Sequence, residues 1–198
     1  MAPRFLLASG SPRRQQLLSE AGLRFEVVAP TAKEMTSRVL TIRELTAGNA
    51  ARKAMAVARL HSETVVLGAD TLVALDGVLI GKPANLKHAF RILQRLSGRE
   101  HTVCTGVFIC SLSRREKLSF QVVSQVRFRM LEATEIHAYL AEIDPLDKAG
   151  AYAAQGQGAK IIAQIRGSYT NVVGLPMGET LRALRQFGIQ PEARRGRS

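Results

Sequence analysis

The 198-residue sequence predicts an α/β protein in which helices flank a mixed, twisted sheet. Three observations support this class. Helical and strand patterns alternate along the chain. Residues 64–69 form an apolar run that is typical of a buried strand. Residues 101–111 and 117–129 form two long strand patterns around a short polar turn, which indicates an antiparallel arm on the sheet.

The first predicted element is a short apolar strand, 5–8, which leads through a turn of small residues into a helix. Ser11 is a good N-cap, and Pro12 suits the first helical position because its missing N–H would be unpaired there. Gly22 marks the end of this helix. A second short strand is expected at 25–28.

The elements that follow are bounded by local sequence signals. Thr41 and Glu44 form a capping box that opens an alanine-rich helix reaching to about Leu60. Asp76 and Gly77 predict a type I′ turn between two short strands. The remaining predicted elements are a strand at 64–69 that ends at Asp70, a helix from Asn85 to Gly98, the strands 101–111 and 117–129, a helix at 133–142, a strand at 160–166 and a helix from Leu175 to Phe187.

The formal net charge is +12, from 28 basic and 16 acidic residues. This balance suggests a polyanionic partner but does not choose among nucleic acid, a membrane surface and small phosphates. Residues 1–189 are predicted to form one domain, followed by a basic, disordered tail at 190–198. No apolar run is long enough to span a membrane, so we expect no membrane partner. The apolar run at the N-terminus is too short for a signal peptide, and the two cysteines are not expected to pair, so we expect a cytoplasmic protein.

Two cysteines, Cys104 and Cys110, lie on one face of a predicted strand. A straight strand holds them about 20 Å apart, which is too far for a disulfide. They also form no zinc-ligand pattern.

The turn after the first strand is a candidate anion site. The N-terminus of the following helix favours negative charge, and the guanidinium groups of Arg13 and Arg14 match the geometry of phosphate. An ordinary helix start with two solvated arginines explains the same residues equally well.

Asp70 is the candidate catalytic residue, because carboxylates at the ends of buried strands commonly line the sites of α/β proteins. It could bind a divalent metal or take a proton from water. A carboxylate that caps a turn is the alternative. Thr71 adds a hydroxyl that could serve a ligand or the turn.

Two lysines are candidates for binding phosphate. Lys82 stands between Gly81 and Pro83, which fixes its position, although the surrounding glycine spacing is not that of a Walker motif. Lys53 lies on an alanine-rich helix, where a lysine usually extends into solvent.

Three further residues belong to the candidate set. Gln155 follows a stretch of glycine and alanine that would let a flat ligand approach the backbone, and its amide could read the edge of a base. Glu34, in a loop, could be a second metal ligand or simply exposed. Asn171 is expected either to hold its loop or to cap the last helix.

Seven segments in this order resemble the Maf family of nucleoside triphosphate pyrophosphatases, over about residues 4–188. They are LLASGSPRR, NAARKA, GADTLV, GKP, GREHTVCTGV, DPLDKAGAYAAQGQGA and GSYTNVVGLP. Any one of these segments alone would be unspecific.

The resemblance implies an elongated, two-lobed single domain with a central cleft, similar to the inosine triphosphate pyrophosphatases and often dimeric. It implies cleavage between the α- and β-phosphates of a nucleotide with a divalent cation (Mg²⁺, Mn²⁺ or Co²⁺). The DKAGAY…QG form resembles the branch that acts on dTTP and UTP. Modified pyrimidine nucleotides are further candidate substrates.

The resemblance also implies a role for each candidate residue. Asp70 would be the proton acceptor and, with Glu34, a metal ligand. The base would be chosen by Arg13, Thr71 and Gln155, and the triphosphate would be held by Ser9, Arg14, Lys53 and Lys82.

One loop departs from the family pattern, which is usually Asp-x-Asp-Glu. This chain has Thr31-Ala32-Lys33-Glu34, so only the final glutamate is present. The change suggests weaker metal binding, and it leaves open a nucleotide-binding regulator of cell division that has lost catalysis. A nucleic-acid-binding protein is a second alternative, but the chain has no Trp and only ten aromatic residues, seven Phe and three Tyr.

Overall fold

A computed structural model describes residues 3–37 and 39–192, and it confirms the α/β class. The basic residues 193–198 of the predicted tail lie outside the described residues. The strands are β1 (Phe5–Ala8), β2 (Glu26–Val27), β3 (Val65–Leu75), β4 (Val78–Ile80), β5 (Glu100–Ser111), β6 (Glu116–Phe128) and β7 (Ile162–Arg166). The helices are α1 (Pro12–Glu20), α2 (Ile42–Ala58), α3 (Leu86–Leu96), α4 (Ala133–Glu142), α5 (Tyr169–Val173) and α6 (Met177–Gln186), with 3₁₀ turns at Ala149–Ala151 and Gly156–Lys160.

The strands form one mixed sheet in the order β2-β1-β3-β5-β6-β7, with β4 paired to β3. β1 is parallel to both β2 and β3, whereas β3–β4 and β6–β7 are antiparallel. Only residues 112–115 connect β5 to β6, a length that suits an antiparallel pair and excludes a parallel crossover. The predicted mixed sheet with an antiparallel arm is therefore confirmed.

The chain divides into two compact units. Unit 1 contains the described residues of Met1–Asp70, Thr105–Gln121 and Gly174–Ser198. Unit 2 contains Thr71–Cys104 and Val122–Val173. The boundary falls within β3, immediately after Asp70.

In unit 1, two glycines let helix α2 lie directly on the sheet. A Cβ on Gly68 of β3 would lie 2.4 Å from the Ala50 carbonyl oxygen, and a Cβ on Gly106 of β5 would lie 2.5 Å from the Thr46 carbonyl oxygen. Both distances are far below van der Waals contact, so no side chain fits at either position. This close approach sets the height of α2 above the strands.

In unit 2, one apolar core fills the space between α3, α4 and the sheet. Its largest fully buried side chains include Phe128, Leu93, Leu96 and Ile136. Cys104 of this unit and Cys110 of unit 1 are both buried, and no disulfide joins them, as predicted.

Several local predictions are confirmed. Thr41 accepts a hydrogen bond from the backbone of Glu44, whose side chain returns one, so the capping box is present. Asp76 and Gly77 have φ of 49° and 77°, as a type I′ turn requires. Asn85 caps α3 by accepting from the His88 amide at 2.9 Å.

Ser11 occupies the N-cap position of α1 and Pro12 its first helical position, as predicted, but the Ser11 side chain makes no capping hydrogen bond. α2 ends at Ala58, two residues before the predicted end at about Leu60. One local prediction is wrong. The expected polar loop at 168–171 begins a short helix, α5, so the last helix starts only at Met177.

Candidate active site

Asp70 is not at the end of its strand, contrary to the prediction. The parallel pairing of β1 with β3 ends at Ala8 and Gly68, and β3 then continues to Leu75 because it finds a new antiparallel partner in β4. Asp70 therefore lies just beyond the carboxyl end of the parallel part of the sheet. This is the position that carries catalytic groups in open α/β sheets.

Lys53 joins Asp70 to Glu34. Its Nζ lies 2.6 Å from Asp70 Oδ1 and 2.6 Å from Glu34 Oε1. The side chains of Lys53 and Asp70 are only 10% and 5% exposed, whereas that of Glu34 is 45% exposed. The solvated lysine considered from the sequence is thus wrong, because the ammonium is buried between two carboxylates.

Asn49 is a site residue that the sequence analysis missed. Its Nδ2 donates to Asp70 Oδ2 at 3.1 Å, and its Oδ1 accepts from the Met35 amide at 2.6 Å. Asn49 therefore fixes the Asp70 carboxylate and ties it to the loop that carries Glu34. The available signal was its spacing from Lys53, since residues four apart share one face of a helix.

Arg14 is buried, which rules out the interpretation of two solvated arginines. Its Nε donates to the Gly174 carbonyl at 2.8 Å, and its Nη1 donates to Ser9 Oγ at 3.1 Å. Burial lowers the pKa of Arg14, while the nearby charge of Asp70 raises it. The guanidinium is thus held rigidly, and it lies close enough to Asp70 for the carboxylate to stabilise its positive charge.

The hydroxyl of Ser9 is placed to donate a hydrogen bond. Its Oγ accepts from the Ser11 amide at 3.2 Å as well as from Arg14. Because both lone pairs are used, the hydroxyl can offer only its proton to a ligand. Arg13, on the same turn of α1, is half-buried.

The other sequence-predicted residues belong to unit 2. Thr71 is half-buried and follows Asp70 directly in β3. Lys82 is exposed and makes no ion pair with any residue that the structure describes. Gln155 is half-buried and precedes the 3₁₀ turn at Gly156–Lys160.

Five of the sequence-predicted residues come together within unit 1: Ser9, Arg14, Glu34, Lys53 and Asp70.

Asn171 holds its own segment and does not cap the last helix. It is fully buried, and its Nδ2 donates to the Val103 carbonyl at 3.2 Å and to Ser124 Oγ at 2.9 Å. The N-cap of α6 is Pro176. Asn171 is therefore structural within unit 2.

Comparison with known proteins supplies the family. A family model described as Maf-like protein matches residues 4–187. The chain belongs to the Maf family. One Maf relative, the dTTP/UTP pyrophosphatase of Bacillus pumilus, is 45% identical over 186 residues, covering 94% of this chain and 97% of its own.

Two further relatives carry the same name. The dTTP/UTP pyrophosphatase of Carboxydothermus hydrogenoformans is 44% identical and covers 92% of this chain and 97% of its own. That of Bacillus cytotoxicus is 43% identical and covers 93% of this chain and 95% of its own. The Maf similarity therefore spans both compact units.

The chemistry of a divalent metal fits the carboxylates of Asp70 and Glu34. Both present an oxygen to one buried cation, the Lys53 ammonium, and hard oxygen donors are what Mg²⁺ prefers. Over residues 3–37 and 39–192, no three His, Cys, Asp or Glu side chains come together as a metal cage. Mg²⁺ is commonly bound by one or two carboxylates with water and substrate phosphate as the other ligands, so the missing third carboxylate does not exclude it.

Proposed function

We propose that this protein is a nucleoside triphosphate pyrophosphatase that converts dTTP and UTP into the monophosphate and pyrophosphate. The observation that carries the proposal is the buried Asp70 carboxylate, held by Lys53 and Asn49 at the carboxyl end of the parallel strands. Arg14 adds a rigid guanidinium to the same unit. The relatives named dTTP/UTP pyrophosphatase support the choice of base.

Asp70 takes a proton from a water molecule, which then attacks the α-phosphorus. A carboxylate has about four lone-pair positions. The hydrogen bonds from Lys53 and Asn49 use two of them, so Asp70 can still accept a proton from water. The bond from the α-phosphorus to the bridging oxygen breaks, and pyrophosphate leaves. Positioning and charge stabilisation are most of what phosphoryl transfer requires of a protein.

Cationic groups offset the charge of the triphosphate. Arg14 and Lys53 supply fixed positive charge in unit 1, and the Ser9 hydroxyl donates a hydrogen bond to a phosphate oxygen. Lys82 is assigned to the leaving pyrophosphate, because it is exposed and held between Gly81 and Pro83. Such preorganised donors are typically the largest source of rate enhancement.

Asp70 and Glu34 would hold a divalent cation. When bound, it neutralises phosphate charge and lowers the pKa of water. Only Glu34 remains of the family's acidic loop. We therefore expect the affinity of the protein for the cation to depend on the substrate phosphates. Mg²⁺, Mn²⁺ and Co²⁺ are the candidates.

Base selection is assigned to Arg13, Thr71 and Gln155. The Gln155 amide has both a donor and an acceptor, which suits the edge of a pyrimidine. Modified pyrimidine nucleotides are included in the proposal for the same reason.

A cytoplasmic homodimer is the form in which we propose that the protein acts. No helix among the described residues is long and apolar enough to cross a membrane.

A panel of canonical and modified triphosphates, assayed with each metal, tests the function. We expect pyrophosphate and the monophosphate from dTTP and UTP, and much slower release from purine nucleotides. Release of inorganic phosphate and a diphosphate would contradict cleavage at the α-phosphate. Tight dTTP binding without any product would favour the regulator that has lost catalysis.

A further inference from the structure

All three tyrosines of the chain lie in or contact the loop 149–155, which ends at Gln155. They come from different parts of unit 2: Tyr139 lies on α4, Tyr152 in the loop itself and Tyr169 on α5. Their hydroxyl groups fix three consecutive residues, 152–154, immediately before Gln155.

Tyr139 holds Ala153 through the backbone. Its hydroxyl oxygen accepts from the Ala153 amide at 3.0 Å and donates to the Ala153 carbonyl at 3.4 Å. Tyr169 donates to the Ala154 carbonyl at 3.3 Å. A tyrosine hydroxyl is protonated and can donate at neutral pH, and burial raises the pKa of Tyr139 further, to about 12.

Tyr152 is held in place by His101. The Tyr152 hydroxyl lies 2.9 Å from His101 Nε2. The Tyr152 ring packs edge-on against the rings of His101 and Phe128, with ring centroids 5.3 and 4.9 Å apart. The other ring nitrogen of His101, Nδ1, is buried and has no hydrogen-bond partner in the described part of the chain. Loss of the Tyr152 hydroxyl would therefore leave both ring nitrogens unpaired.

The loop needs such restraint because its backbone is strained. Gly150 and Ala151 both have positive φ, 75° and 60°, and Ala151 is not a residue that favours this region. Strained backbone of this kind persists only where the surrounding structure determines it. The tyrosine hydroxyls and the Gly150 amide, which donates to the Gly81 carbonyl at 3.3 Å, supply that restraint.

We infer that Tyr139, Tyr152 and Tyr169 are positioning residues for Gln155, and that their hydroxyl groups set its orientation and thereby the preference for a pyrimidine base. This inference rests on the proposed function, which gives Gln155 its role. The restraint of the loop itself does not depend on that function and can be measured separately.

The restraint is tested by hydrogen exchange of the Ala153 amide in Tyr139→Phe. We expect exchange about five- to tenfold faster than in the wild type, the change that loss of one buried hydrogen bond gives. Ile136→Val is the matched control, because Ile136 is buried in the same helix and its apolar side chain makes no hydrogen bond to the loop. Unchanged exchange in Tyr139→Phe would overturn the restraint, whatever the enzyme does.

The base preference is tested by the ratio of kcat/KM for dTTP to that for dGTP. In Tyr139→Phe we expect this ratio to fall by about tenfold, mainly through KM, because one hydrogen-bonding group in the binding site is misplaced. Ile136→Val should leave the ratio unchanged. If Tyr139→Phe fails to fold, Tyr169→Phe replaces it, because Tyr169 is 48% exposed, and a fall of about twofold is expected.

A double variant shows whether the tyrosines act through Gln155. If they do, Tyr139→Phe changes the ratio in the wild type but not in a Gln155→Ala background. Additive effects would overturn the inference even if exchange at Ala153 is faster. A wild type that releases no pyrophosphate from dTTP would refute the proposed function and with it the base preference, while the exchange measurement would still decide the restraint.

Discussion

At Asp70, a buried carboxylate accepts hydrogen bonds from one cation and one amide. Lys53 donates to one oxygen and Asn49 to the other, which stabilises the ionised side chain in a place where an isolated charge would be costly. The same contacts fix the direction in which a proton can be accepted. A carboxylate that merely caps a turn would need none of this arrangement.

Replacing Asp70 with asparagine removes the proton acceptor but keeps the size of the side chain. We expect kcat to fall by about 10²- to 10⁴-fold, the usual contribution of general base catalysis. The affinity for dTTP in the absence of divalent metal should change little, because the side chains assigned to the phosphates remain. Pyrophosphate release and dTTP binding by calorimetry measure the two effects.

Asp76→Asn is the matched control. Asp76 lies in the exposed turn that follows β3, and asparagine tolerates its positive φ. Normal turnover in Asp76→Asn together with normal turnover in Asp70→Asn would remove Asp70 from the mechanism.

The elements of the site were predictable where their signals are local. The capping box at Thr41, the Asn85 cap and the Asp76-Gly77 turn each depend on two to four neighbouring residues, and each is confirmed. The continuation of β3 past Asp70 was not predictable, because it depends on pairing with β4.

Contacts between distant segments could likewise not be predicted from the sequence. Asp70, Lys53 and Glu34 were each recognisable as candidates, but nothing local indicates that one ammonium joins both carboxylates. Arg14 was ambiguous for the same reason, since its partner Gly174 is 160 residues away. The family resemblance supplied the grouping that residue patterns could not.

Helix α2 depends on Gly68 for its place above the site. In Gly68→Ala, a methyl group would meet the Ala50 carbonyl, and the helix must move away from β3. We expect a loss of about 1–3 kcal/mol in the free energy of unfolding, as is typical of overpacking. Activity should fall as well, because Asn49 and Lys53 move with the helix.

Gly178→Ala provides the comparison for denaturant unfolding and turnover. Gly178 lies in helix α6 of the same unit, and among the described residues outside its own helical turn and chain neighbours no atom lies within 4 Å of the position that its Cβ would occupy. Alanine favours helix by about 1 kcal/mol over glycine, so this variant should be equally or more stable. Equal behaviour of the two variants would contradict the role given to Gly68.

The stability of the folded protein depends on pH through buried His101. Burial lowers the pKa of His101 to about 4, whereas in an unfolded chain it is about 6.5. Between these values the unfolded chain binds a proton that the folded protein does not. The free energy of unfolding therefore falls as the pH is lowered through this window, by at most about 3 kcal/mol.

Urea unfolding of the wild type and of His101→Phe over this pH range measures the effect. The variant should be less stable at neutral pH, because Tyr152 loses its partner. Its stability should nevertheless depend less steeply on pH, because the buried imidazole is gone. Identical pH dependence in the two proteins would show that His101 does not titrate as described.

In the proposed reaction, the protein directs water to the α-phosphorus of a pyrimidine nucleoside triphosphate. Hydrolysis of dTTP in ¹⁸O-labelled water, followed by mass spectrometry of both products, shows which phosphorus is attacked. We expect one labelled oxygen in the monophosphate and none in the pyrophosphate. Label in the pyrophosphate, or in inorganic phosphate released beside a diphosphate, would contradict it.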